Sequence, residues 1–275
     1  MRHLVLALTS LLACLSTLLG GCHRATTEDS KTNANQPGLP TRAYSTTFPK
    51  AEDPLSENGI WIVGHASGAR PWIGSGLSFM PHYLWGNVEA SPGLAYGTDE
   101  PTDFGDPTAI VAGSWGAEQT VTAKVRIAKT PRGPCCEEVE LRLRTTISNY
   151  SITGYEAYCS VSPQYPYCHI ARWNGPNGSW WNFETGSSPI YAKDGDVLSA
   201  TVTGTNPTLI TLFRNGKLVL NAVDTGAAGG GFGAYGPWTS GNPGIGFYNT
   251  QDDDWKDFGF SYFAATDNVP NNDPR

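Results

Sequence analysis

Charge is scarce in this sequence. Asp, Glu, Lys and Arg make up 16% of its 275 residues, against roughly a quarter in an ordinary soluble domain. Methionine is nearly missing, with two residues, and no segment carries the long amphipathic period of a helix. These absences exclude a helical bundle. Cations are outnumbered, 18 against 25 acidic groups, for a formal charge of −7. A chain without a basic stripe is a poor nucleic-acid binder, because phosphate neutralisation supplies most of that affinity. No nucleic-acid partner is expected. Several chemical signatures are missing as well. The cysteines have no paired Cys-x-x-Cys spacing for zinc. Gly74-Ser75-Gly76 lies in a Gly-rich stretch with no helix to follow, so it is no nucleophile elbow. Gly229-Gly230-Gly231 precedes no helix either and is no phosphate cradle. His65 and His82 stand isolated and read as surface or structural residues.

What is present points to strands. Gly (32) and Pro (20) are abundant, as are Trp (9), Tyr (12) and Phe (10), and 39% of residues are hydrophobic. That content can bury a core, and the turn formers divide it into short pieces. At least ten segments alternate or run apolar over strand lengths. They include residues 109–115, 120–127, 139–147, 152–161, 197–203, 208–213, 217–223 and 258–263. The sharpest local signal is Asn215-Gly216 between two apolar runs, which predicts a type I′ hairpin because both central residues need positive φ. Lys193-Asp194-Gly195-Asp196 is a second turn before a strand. With no breaking linker between them, these strands predict one β-sandwich over residues 49–266.

The first 22 residues read as an address. A short basic start, Arg2-His3, leads into an apolar run from Leu4 to Leu19, too short for a membrane span. Leu19-Gly20-Gly21-Cys22 then resembles the lipobox of bacterial lipoproteins. That resemblance implies cleavage before Cys22 and acylation of Cys22, which anchors the chain to a lipid membrane. His23 rather than Asp follows, which by the family's sorting rule favours the outer membrane. Leu11-Leu12-Ala13-Cys14 is a second lipobox, and a plain secretory or retained segment is the remaining alternative. Residues 23–48 lack any apolar period and read as a flexible tether; residues 267–275 read as a polar tail.

An exported chain admits disulfides. A turn at Pro163-Gln164 between strands 153–161 and 166–173 pairs positions whose numbers sum to a constant, and Cys159 then faces Cys168 directly. Cys135 and Cys136 are adjacent. They form a vicinal bridge, stay reduced, or exchange partners with the other two.

The order of strands also carries a resemblance. A Gly-Tyr-Glu strand (154–156) precedes an aromatic Arg172-Trp173-Asn174-Gly175 strand, then Asp194-Gly195-Asp196-Val197 and the Asn215-Gly216 hairpin. Gly241-Asn242-Pro243-Gly244-Ile245-Gly246 and a closing Phe258-Gly259-Phe260 strand follow. The set resembles the concanavalin A-like lectin/glucanase sandwich, in particular laminin-G-like and DUF1080-type domains of bacterial exported proteins, over residues 106–266. The resemblance implies an all-β jelly-roll sandwich of two antiparallel sheets. It covers lectins, glycosidases, lyases and adhesion modules, so function must come from the site.

The disulfide register sorts side chains by face. Cys159, Ala157 and Tyr155 share a side with Ile170 and Arg172. Glu156 and Tyr158 share the other with Tyr167, His169 and Trp173. Val139, Leu141 and Leu143 point to the core, and Glu140, Arg142 and Arg144 point outward. One face thus gathers Glu140, Arg142, Arg144, Glu156, Tyr158, Tyr167, His169 and Trp173, with Trp180 and Trp181 just beyond. Flat aromatics beside planar polar groups suit an oligo- or polysaccharide. In this reading Trp173, Trp180 or Trp181 stacks on sugar while Arg142, Glu156 and His169 fix hydroxyls. A solvated face laced with cross-strand ion pairs, or a protein-contacting adhesion face, is the competing reading.

Enzyme signatures are weaker. The Glu-x-Asp-x-x-Glu strand of sandwich glucanases is missing, though Glu138 and Glu140 share a face. Glu140-Leu141-Arg142 resembles a segment of jelly-roll alginate lyases, but the Gln-Ile-His motif is replaced by Cys168-His169-Ile170. No cofactor is expected beyond a structural calcium, for which Asp252-Asp253-Asp254 with Asp257 offers hard oxygens.

Overall fold

The computed structural model describes residues 41–64, 86–98, 106–131, 136–148, 151–175, 179–183, 190–226, 236–249 and 254–268. All belong to the unit Leu39–Arg275. Cys14 and Cys22 of the two lipobox-like segments, Cys135, His65, His82, both glycine stretches, Asp252 and Asp253 lie outside the described residues.

Among the described residues the chain forms fifteen strands. The first five are β1 (Thr41–Thr46), β2 (Trp61–Val63), β3 (Asn87–Ser91), β4 (Leu94–Thr98) and β5 (Thr108–Val111). Next come β6 (Gln119–Ile127), β7 (Glu138–Ser148), β8 (Ser151–Ser160), β9 (Cys168–Gly175) and β10 (Trp180–Asn182). The last are β11 (Val197–Thr203), β12 (Thr208–Arg214), β13 (Lys217–Asp224), β14 (Asn242–Tyr248) and β15 (Phe258–Asn268). They build two antiparallel sheets, the all-β sandwich expected. An eight-stranded sheet runs β13-β12-β11-β6-β15-β4-β3, with β1 also on β15. A seven-stranded sheet runs β10-β9-β8-β7-β14-β5-β2.

Alternation explains the core. In β6, Val121, Ala123 and Val125 are buried while Lys124 and Arg126 are exposed, the period-2 pattern of a half-buried strand. Val121, Ala123, Leu198, Ala200, Ile210 and Phe263 from one sheet meet Val139, Leu141, Ala157, Ile170, Ile245 and Phe247 from the other in one cluster. Phe247 and Phe260 bridge the sheets with ring centroids 5.5 Å apart. A buried polar tie also joins the sheets. Arg172 Nη1 on β9 lies 2.7 Å from Asp224 Oδ1 on β13, and the Tyr155 hydroxyl donates to Asp224 Oδ2 at 2.8 Å.

Local signals are realised where the chain turns. Asn215 and Gly216 adopt φ of 52° and 73° between β12 and β13, as a type I′ hairpin needs. Cys159 and Cys168 are bonded, and β8 pairs with β9 in the expected register, Tyr158 opposite His169 and Gly154 opposite Trp173. The strands stop at that bridge, however. Ser160 N–H donates to Tyr167 O at 3.0 Å, and residues 161–167 make a looser loop than a two-residue turn. Cys136 is also disulfide-bonded. Two strands extend past the expected limits. β1 falls inside the segment read as a tether, paired along β15 from Thr41 to Thr46, and β15 runs on to Asn268. The polar residues of β1 disguised it, since among its described side chains only Tyr44 packs on the hydrophobic core.

Candidate functional site

The outward face of the seven-stranded sheet is built from β7, β8, β9 and β14. Across these strands Gly246, Glu140, Tyr158 and His169 stand in one row. Gly244, Arg142, Glu156, Ala171 and Asn182 stand in the next. Paired residues share a face, so strand register alone gathers these groups. Gly246 leaves the space. A Cβ there would lie 2.1 Å from Glu140 Oε2 and 2.8 Å from Arg142 Nε.

Arg142 is the hub. Its side chain is fully buried. Nη2 donates to both Asp106 and Glu140, and Nη1 lies 2.9 Å from Glu156 Oε2. The Trp173 indole N–H donates to Glu156, and the guanidinium carbon sits 5.3 Å from the Trp173 ring centroid. The Tyr167 hydroxyl donates to Glu138, and the Tyr158 hydroxyl to Asn182 Oδ1 at 3.0 Å. His169 packs against both tyrosines, 5.5 Å from the Tyr158 ring and 5.3 Å from the Tyr167 ring. Glu138, Glu140 and Glu156 each present a carboxylate oxygen, all within 4.8 Å of one another.

Four carboxylates therefore crowd one guanidinium. Burial disfavours their charged forms. It pushes Glu138 up to about 8, with the Tyr167 hydrogen bond opposing. It pushes Glu156 up to about 7 against the attraction of Arg142, and it raises Glu140 and Asp106 too. Burial also works against the charge on Arg142, but Glu140, Glu156 and Asp106 overcome it and hold the guanidinium above its ordinary value. Tyr158 and Tyr167 are raised, first by burial and then by Glu138. His169 is lowered by burial alone. The site can thus hold a protonated carboxylic acid beside an ionised one near neutral pH, and it presents planar hydrogen-bonding groups in a fixed array.

The predicted residues sort by depth. Arg142, Glu156, Tyr158, His169 and Trp173 come together. Trp173 is only 3% exposed and packs with Ile152, so its ring is held in the network and is no free platform. Trp180, 43% exposed, pairs with Trp173 at the sheet margin and offers the open aromatic surface. Trp181 pairs with Arg172, which places it on the opposite side of the strand. Arg144 departs furthest from its expected place. A bulge between Leu143 and Thr146 shifts the register, and Arg144 adopts a φ of 48°. Its buried guanidinium donates to the carbonyls of Ala117, Gly204 and Trp238 and so stitches loops together. Period-2 reading fails beyond a bulge because the extra residue reverses the faces. Asp106 was not foreseen. It precedes β5, 36 residues before Arg142, and no local pattern marks it. Asn182 was missed for the same reason. At the acidic turn, Asp254 caps a short 3-10 turn by accepting from Lys256 N–H at 3.0 Å, and Asp257 pairs with Lys129 at 2.9 Å. Both are occupied in structural contacts.

The fold and this array define a two-sheet antiparallel β-sandwich with a buried carboxylate–guanidinium cluster on one outer face. No protein-family description matches the sequence, and no curated protein matches it. Solved structures do match in shape. A carbohydrate-binding module from Bacillus subtilis is 12% identical, with 78% of this chain and 97% of that one covered and a TM-score of 0.44. β-Agarase A from Zobellia galactanivorans is 9% identical, covering 88% and 98% with a TM-score of 0.48. A galectin-like-fold protein from Bacillus subtilis is 10% identical, covering 82% and 92% with a TM-score of 0.40.

Proposed function

We propose that this chain binds glycan on the outward face of its seven-stranded sheet. The observation that carries the reading is the convergence of Arg142, Glu138, Glu140, Glu156 and Asn182 with Tyr158, Tyr167, His169 and Trp180 on one face. Carboxylates, a guanidinium and an amide match the hydroxyls of a sugar ring, and aromatic faces cover its C–H surface. Access lies at the margin. Glu138, Tyr167, His169 and Asn182 are half-buried and Trp180 is exposed, while Arg142, Glu140 and Glu156 hold the array from beneath. The sugar then meets Glu138, His169 and Asn182 and stacks on Trp180. Acylation at Cys22 would tether the domain to a membrane facing its polysaccharide. The lipobox-like Leu19–Cys22 supports export and anchoring, and the disulfides support an oxidising compartment.

A second reading, glycoside hydrolysis on the same face, is favoured by the spacing of Glu138, Glu140 and Glu156. Retaining glycosidases keep two carboxyls about 5–5.5 Å apart, one protonated and one ionised. Here Glu138 would serve as the acid and Glu156 as the carboxylate. One experiment addresses both: a glycan-array screen of the full chain, its Trp180→Ala variant and its Glu138→Gln variant, followed by a reducing-end assay on every glycan bound. Binding that weakens in Trp180→Ala supports the site, and reducing ends that vanish in Glu138→Gln support hydrolysis. Silence of the folded wild-type chain across neutral and uronate polysaccharides overturns the glycan reading and moves the face to protein contact.

A further inference from the structure

We infer that Glu138, Glu140 and Glu156 form a binding site for a hard divalent cation, with calcium the best fit. The inference stands on the carboxylate geometry and does not depend on glycan binding. The first support is spacing. Calcium–oxygen bonds run about 2.3–2.6 Å, so ligands on opposite sides of the ion stand about 4.6–5.2 Å apart. One oxygen from each of the three glutamates lies within 4.8 Å of the others. Magnesium, with bonds of about 2.0–2.1 Å, demands a tighter cage.

The second support is an unfilled valence. Glu140 is fully buried, and its Oε1 has no hydrogen-bond partner among the described residues. Buried carboxylate oxygens are ordinarily satisfied, and each exception calls for an explanation such as an ion. Its other oxygen already accepts from Arg142. The third support is charge. Among the described residues Arg142 is the single cation in contact with Asp106, Glu140 and Glu156, and Glu138 adds a fourth carboxyl. A buried excess of one sign is costly unless paired or metal-bound. A divalent ion among the glutamate oxygens removes most of that excess and gives Glu140 Oε1 a partner. Asp254 and Asp257, held by Lys256 N–H and Lys129, take no part in this site.

The test uses the full chain, stripped with EDTA and dialysed, in the absence of glycan. Calcium chloride is titrated in by calorimetry, and thermal unfolding is followed in parallel. One equivalent per chain is expected, with a melting temperature that rises with calcium by mass action. Glu140→Gln and Glu156→Gln should each weaken binding at least about tenfold, while Asp194→Asn, at an exposed ion pair, leaves it unchanged. Should either buried variant fail to fold, Glu138→Gln at the half-buried margin carries the same expectation. No heat and no thermal shift up to about 10 mM calcium overturns the site and leaves protons to neutralise the cluster. Equal binding by wild type and all folded glutamate variants overturns it too, and places the ion elsewhere. Because glycan is absent throughout, failure here leaves the glycan reading standing, and the reverse also holds.

Discussion

The two sheets obey one alternation rule and yet present opposite outward faces. On the eight-stranded sheet, β6 and β11 turn Thr120, Thr122, Lys124, Ser199 and Thr201 outward, and the Arg126–Asp194 pair spans 3.1 Å with both side chains about half exposed. On the seven-stranded sheet, Arg142 and Glu140 pair with no exposure at all. Equal residue types thus carry unequal weight. Water screens the first pair, and such exposed pairs contribute about 0–1 kcal/mol. The second pair sits where the effective dielectric is low, so both attraction and desolvation are large. Charges point outward on both sheets, but only around Arg142 are they buried.

The largest contrast should come from deleting the two arginines. Arg142→Ala leaves Asp106, Glu140 and Glu156 without their cation and should cost about 3–5 kcal/mol, read as a lower denaturant midpoint. Loss of under 1 kcal/mol would mean that protons already neutralise the carboxylates. Next come the hairpins. β8–β9 is closed by a bond between residues nine apart, whereas β12–β13 relies on Asn215-Gly216. The double change Cys159→Ala, Cys168→Ala should cost about 2–3 kcal/mol through the unfolded chain, measured under non-reducing conditions. An unchanged melting temperature would show that pairing with β7 and β10 suffices.

Titration sharpens the comparison further. Glu138 and Glu156 have folded values raised above the unfolded one, so the native state holds more protons than the unfolded chain across that window. Stability from these groups is therefore full below about pH 4.5 and declines as pH rises through about 7 to 8. A fall in stability between pH 5 and 8 is expected, and Glu138→Gln should flatten its upper part. Asp194 on the other sheet behaves oppositely. Its folded value is lowered, chiefly by the Ile127 N–H bond, so its contribution persists above the ordinary aspartate range and fades as pH falls. A wild-type profile that rises toward pH 8 would contradict the burial of the glutamates.

Two smaller effects complete the contrast. Trp180→Ala should weaken glycan binding by about 0.5–1.5 kcal/mol, up to roughly tenfold, with no change in melting temperature. Leu218→Ala, exposed on the eight-stranded sheet, should leave binding as it was. Arg126→Ala should shift stability by less than about 1 kcal/mol. A larger loss would show that the open face is also organised by charge.

Part of the site is legible in the residues themselves. Cys159 and Cys168 set the β8–β9 register, and the alternation of β7 places Glu140 and Arg142 opposite Tyr158 and Glu156. Four features of the structure break that reading. Asp106 reaches Arg142 from a distant loop. Arg144 is turned away by a bulge. Trp173 is sealed beside Ile152. β1 hides in a polar segment until β15 gives it a partner. Each depends on contacts between residues remote in sequence, where no local period can act.

Alternation, turn chemistry and cysteine spacing therefore settled the class of fold, the β12–β13 hairpin, the disulfide and, up to the bulge at Arg144, which residues of β7, β8 and β9 share a face. These are short-range facts, dictated by backbone sterics and the two-residue repeat of a strand. Depth was decided only by the tertiary structure. Burial around Arg142 makes four carboxylates and one guanidinium a charged cluster rather than a solvated surface, because desolvation depends on everything packed nearby and not on the strand that carries the charge.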